Sequence, residues 1–194
     1  LSVLLPLLLA CADAAPPDPD PRVELEGVVA ELPGGTRLAA ARAGGIPGAG
    51  GTAEDVKAHL PADASAPPLE VTAARSTWDL RAGRLQLEGE VVATRADATL
   101  TCARADVFFD GAGKVARIEA RGDVLLVQGE RSGRAQRADL EAAGGRVTLR
   151  DGASLSEPPH RMVGEPIVVF LDDERIECDA CRLRIDGAGI GQAP

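Results

Sequence analysis

The stretch RLQLEGEV at residues 84–91 returns as RIEARGDV at 117–124, and a looser copy, RVTLRDGA, spans 146–153. Each copy opens on an arginine and an apolar residue, alternates apolar with polar side chains, and arrives at a glycine or an aspartate. Alternation with period two is the signature of a strand with one buried face. In the first copy Leu85, Leu87, Gly89 and Val91 share one side, and Arg84, Gln86, Glu88 and Glu90 take the other. In the second, Ile118, Ala120, Gly122, Val124 and Leu126 share a side. The glycine or aspartate marks a place where the side chain must be small or turn-forming.

Working outward, each copy follows a second related stretch: ARSTWDL (74–80), ARADVFF (103–109) and QRADLEA (136–142). A short turn, RAG, GAGK or AGG, joins the two. Arg75, Arg104 and Arg137 therefore recur about every 30 residues, a period that belongs to repeat architectures. Propeller blades are longer and hexapeptide β-helices much shorter. Two strands and two turns per repeat predict stacked antiparallel hairpin layers, each adding one strand to either sheet of an open two-sheet sandwich. Trp78 with Leu80, Val107 with Phe109, and Leu140 with Ala142 are expected to face its interior. An all-β domain of this kind is predicted from residue 22 to about 190. Within it, the Gly-, Ala- and Pro-rich segment 44–68 reads as a mobile loop with a short helix at AEDVKAHL.

Composition narrows the function. The chain has 194 residues, a net charge of −9 and a pI near 4.8, with one Trp, three Phe and no Tyr. A phosphate-tracking nucleic-acid binder needs a basic face, and base stacking needs aromatic platforms, so nucleic acid is not the expected partner. No Walker or nucleophile-elbow motif occurs, and neither an enzyme nor a cofactor site is expected. The acidic run Asp172-Asp173-Glu174 reads as a solvated turn.

The first 21 residues, LSVLLPLLLACADAAPPDPDP, run from an apolar stretch through small residues into a Pro/Asp-rich spacer. That is the layout of an export signal and linker. Leu8-Leu9-Ala10-Cys11 resembles a lipobox, in which Cys11 is lipidated and anchors the chain to a membrane. Cleavage after Ala14 and an uncleaved anchor are the alternatives. Each places the domain outside the cytoplasm, where disulfides persist. Cys178-Asp179-Ala180-Cys181 has CxxC spacing but lies in a strand-like stretch, IECDACRLRI, and not at a helix start. One disulfide from Cys102 to Cys178 or Cys181, with a thiol left over, is the expectation. His59 and His160 lack ligand-like spacing, and no metal site is expected.

The segment from Leu85 to Gln128 resembles the OstA-like domains of the bacterial lipopolysaccharide-transport periplasmic bridge (the LptA/LptC-like group). The resemblance rests on Leu85 to Val91, Ala105 to Asp110 and Ile118 to Val124, within a likeness extending over about residues 22–185. It implies an open β-jellyroll in the periplasm of a Gram-negative bacterium, carrying lipid A acyl chains in an apolar groove. It also implies partners of two kinds: the glycolipid, and other bridge proteins docking through edge strands near Val23–Val29 and Ile176–Ile185. The residues expected to touch lipid are Trp78, Leu87, Val91, Val107, Phe109, Ile118, Val124, Leu126, Leu140 and Leu149. The chain departs from that pattern in its lipobox, its lack of tyrosine and the segment 44–68. The other reading is an envelope lipoprotein whose filled sandwich scaffolds other proteins without lipid cargo.

If Cys11 is lipidated, labelled palmitate will enter the wild type and not Cys11→Ala. Equal labelling of the two, or an unprocessed N-terminus by mass spectrometry, rules the anchor out.

Overall fold

The structure is a computed structural model describing residues 23–31, 35–46, 48–62, 67–173 and 175–185. The stretch read from sequence as an export signal with a lipobox, and Glu174, lie outside the described residues. Eight long strands come first: β1 (Val23–Glu31), β2 (Arg37–Ile46), β3 (Gly50–Leu60), β4 (Leu69–Asp79), β5 (Arg84–Arg95), β6 (Ala98–Phe109), β7 (Val115–Gln128) and β8 (Arg131–Glu141). Six short ones follow: β9 (Arg146–Arg150), β10 (Ser154–Glu157), β11 (His160–Gly164), β12 (Ile167–Phe170), β13 (Ile176–Glu177) and β14 (Cys181–Ile185).

From β1 to β8 each strand pairs antiparallel with its neighbour in the chain. The pairing register jumps near the middle of the strands, between Thr72 and Arg75, Glu88 and Val91, Thr101 and Arg104, and Arg121 and Val124. A bulge bends the strand that carries it, and these bulges stand side by side, so the sheet folds along one seam into two arms. The split is explicit at β8: Arg137–Glu141 pair with β9, while Ser132–Arg134 pair with β10. One arm continues through β12 to β13, the other through β11 to β14. The short strands are thus V-shaped strands cut at the seam, as β9/β10, β11/β12 and β13/β14. The fold is all-β, an open antiparallel β-jellyroll. Both strands of each repeat enter both sheets, which corrects the expectation of one strand per sheet.

The glycines and acids closing the repeated stretches make the seam. Gly89 and Glu90 have φ of 79° and 48°, Gly122 and Asp123 80° and 48°, Asp151 and Gly152 62° and 83°. Left-handed angles are cheap for Gly and tolerated by Asp, and Glu90 is the longer side chain held there beside Gly89. Across the seam, a Cβ on Gly89 would meet that of Ala74 at 2.9 Å, and one on Gly122 that of Ala103 at 3.0 Å. The arginines opening the first two copies act elsewhere: Arg84 and Arg117 hold their guanidinium groups 5.9 and 4.6 Å from the Phe108 ring centre. Arg84 also pairs with the buried Asp106 at 2.8 Å.

The segment predicted as a mobile loop with a helix is mostly β3, paired with β2 and β4. Asp55, at φ 51°, takes the seam position. It offsets the inward residues, so Ala53 and Val56 are buried three apart, a step shared with a helical face, before alternation resumes at Ala58. Leu80 also departs from expectation: it sits in the turn after β4 and is 55% exposed.

Gly122→Ala should lower the stability of the fold by about 1–2 kcal/mol through its backbone angle, with further loss from the Ala103 contact. Adding Ala103→Gly should recover only the contact part in a urea titration. Wild-type stability for Gly122→Ala would mean the seam is not held at these angles.

Candidate functional site

The seam closes one long side of the jellyroll. Along the other side the strand-to-strand turns form two rims, and between the rims lies a cleft of about 600 Å³. Leu60, Leu69, Val115, Ile118 and Leu140 supply its apolar surface, while Arg95, Asp110 and Lys114 bring charge to its edges. Beneath it a small void is lined by Leu38, Leu85, Leu87, Val107 and Phe109 among others. Further along, Leu149, Ile167 and Val169 are fully buried, so the β9–β12 part of the interior is filled.

Eight of the ten residues expected to touch lipid are buried in this one core: Leu87, Val91, Val107, Ile118, Val124, Leu126, Leu140 and Leu149. Trp78 and Phe109 are half-buried and pack against it. Only Ile118 and Leu140 of the ten line the cleft itself, and Leu87, Val107 and Phe109 join Ile118 around the void below. Val91 and Val124 adjoin the seam, and Leu149 lies in the filled part. Sequence reasoning missed Leu60, hidden in the supposed loop, as well as Leu69 and Arg95. A signal for Arg95 was present, because it continues the inward stripe of β5 after Val91 and Ala93.

A strap from the turn after β12 crosses the open side at the end of the cleft. Gln128 Nε2 donates to the Leu171 carbonyl at 2.9 Å and to Asp97 at 3.3 Å. Arg95 Nη2 lies 3.1 Å from Asp172 Oδ1. Asp172, read from sequence as part of a solvated turn, is therefore the counter-ion of a buried arginine.

The cysteine pairing expected from sequence is corrected as well. Cys178 and Cys181 form a disulfide with each other, at a Cα separation of 5.9 Å, and Cys102 is a buried free thiol. The two bracket the point where the chain crosses from β13 to β14, the last seam position. A Cβ on Gly164, the neighbouring seam residue, would strike both sulfurs. Cys102 lies in β6 opposite Val91, and burial raises its thiol pKa to about 11.

A family model described as LptA/(LptD N-terminal domain) LPS transport protein matches residues 70–175, more than half of the 194-residue chain. The chain belongs to this family. The matched part of this LptA-type domain runs from β4 to the residue before β13, and so includes the cleft residues Arg95, Ile118 and Leu140. Among solved structures it resembles LptH, "the LptA homologous periplasmic component of the conserved lipopolysaccharide transport device from Pseudomonas aeruginosa". The TM-score is 0.56 at 17% identity, covering 62% of this chain and 96% of that one. The likeness establishes a shared fold. No curated protein matches the chain.

In the folded LptA-type domain Cys102 should resist iodoacetamide at pH 8, since only the thiolate reacts, and should alkylate fully in guanidinium. Rapid native alkylation would contradict its burial.

Proposed function

We propose that the chain is a periplasmic bridge protein that carries lipopolysaccharide, holding lipid A acyl chains between the two arms of the jellyroll. The observation that carries this reading is the apolar cleft between the rims, continuous with an interior stripe that remains exposed at both ends of the molecule. At the β1 end Val23 and Leu25 are 41% and 53% exposed, and at the β14 end Leu183 is 60% exposed. Each methylene kept from water is worth roughly 0.8 kcal/mol, so a chain of a dozen carbons needs a sheltered path across an aqueous gap. A trough provides that path with no chemical step, and the protein acts as a carrier and not as an enzyme.

The terminal strands supply the assembly surface in this reading. Among the described residues β1 pairs only with β2, and β14 only with β11. Each leaves a row of backbone groups that a strand of another bridge protein can extend. A lipid on Cys11 would tether one end to a membrane. The filled interior around Leu149 and Ile167 favours the second reading, a scaffold without lipid cargo, for that half of the molecule.

Photo-crosslinkers separate the two. Placed at Ile118 and Leu140 they should trap glycolipid in cells, with little trapping at Val91 or Val124 and none at the outward-facing Glu88 and Arg121. Absence of lipid adducts at every position favours the scaffold, and equal adducts on both faces indicate non-specific contact. Crosslinkers on β14 should in the same cells trap another bridge protein, and their failure to do so removes the edge-pairing part of the proposal.

A further inference from the structure

The end of the cleft carries a charged group that a purely hydrocarbon cargo does not require. Arg95 is 6% exposed, yet only its Nη2 is matched, by Asp172. Among the described residues its Nε and Nη1 have no hydrogen-bond acceptor. An arginine stays protonated in proteins, and leaving charged donors unmatched in a buried place is costly. A simple anchor for the strap would be matched on every side or replaced by an apolar residue.

The surroundings are shaped to this group. Gly145, in the turn between β8 and β9, has φ +56°, and a Cβ there would strike Arg95 Nη1 and crowd the Asp172 carboxylate. Arg95 also lines the cleft, whose other wall is largely apolar. Asp110 is the acidic residue lining the cleft, and its Oδ1 is engaged by the backbone N–H groups of Ala112 and Lys114 at 2.9 Å. The arrangement joins a buried guanidinium to an apolar floor.

We infer that the cleft is a binding subsite for an anionic amphiphile: a phosphate or carboxylate received by the Arg95 guanidinium as Asp172 gives way, with its aliphatic chain lying on Leu60, Leu69, Ile118 and Leu140. This rests on the lipid-carrier reading and adds to it a fixed position for a charged headgroup. Asp172 then has a double role. It neutralises the guanidinium when the cleft is empty, and it competes with the incoming anion for the same charge.

Binding to the full folded chain tests this, using dodecyl phosphate, laurate, dodecyl maltoside and inorganic phosphate below micellar concentration. Charge-assisted hydrogen bonds predict that the two anionic amphiphiles bind about tenfold or more tighter than the uncharged one. Inorganic phosphate should bind far more weakly than dodecyl phosphate. Arg95→Gln should erase the preference for charge while keeping dodecyl maltoside binding. Asp172→Asn, which leaves the arginine in place, should strengthen binding of the anionic probes several-fold. Equal binding of all three dodecyl compounds overturns the Arg95 subsite and leaves the lipid carrier standing. A charge preference that survives in Arg95→Gln, or unchanged anion affinity in Asp172→Asn, overturns it too. Inorganic phosphate binding as tightly as dodecyl phosphate makes this a plain anion site and overturns the amphiphile assignment. If no dodecyl compound binds the wild type, the carrier reading fails together with the subsite.

Discussion

Hydrogen bonding along a sheet that must also fold over is the constraint on which this structure depends. A strand cannot bend sharply and keep an uninterrupted ladder, so the bend must be taken by residues outside the pairing register. Here those residues stand at matching heights in successive strands, with Gly89-Glu90, Gly122-Asp123 and Asp151-Gly152 in left-handed backbone conformations. Because the bends line up, the inward faces of the two arms oppose each other and share a single core. A seam in which glycine meets alanine also lets the arms approach closely at that side. The space between them then opens toward the rims.

That geometry accounts for how the interior is graded. Near the seam, Val91 and Val124 are each 1% exposed, and the β9–β12 region is closed. Toward the rims between β3 and β8 the arms diverge, and the cleft appears. Its charged end is therefore a property of the strap, where Leu171 and Asp172 reach Gln128 and Arg95 on the opposite rim. The strap and the disulfide at Cys178–Cys181 fasten the same end of the molecule on opposite sides, one at the rims and one at the seam.

Much of this was legible in the sequence, and the failures share one cause. Alternation in β5 and β7 is plain because their apolar residues return to the same parity beyond the seam, and in β6 Ala105 and Val107 alternate within their own half, so Leu87, Val107 and Ile118 were assigned inward correctly. The angle between the halves of a strand leaves no mark in that alternation, and the repeat was read as separate strands in separate sheets. In β3 the single seam residue Asp55 shifted the parity, and a strand took on the spacing of a helix. The Cys178–Cys181 bond was passed over for a similar reason: the two cysteines looked like members of one continuous strand, whereas the chain turns between them. Arg95 was not singled out, because a charged residue at the end of an apolar stripe carries no sign in the sequence that it is buried.

Pairing β1 to β8 each with its neighbour in the chain has a consequence for size. The molecule lengthens by one strand spacing, about 4.8 Å, for every strand laid down, and each repeat of about 30 residues supplies two. Neither the seam nor the rims must be redesigned when a repeat is gained or lost, since every layer rests on the one before it. Reach is thus a quantity that gene duplication can adjust in steps of roughly 10 Å, with the cross-section of the trough held constant.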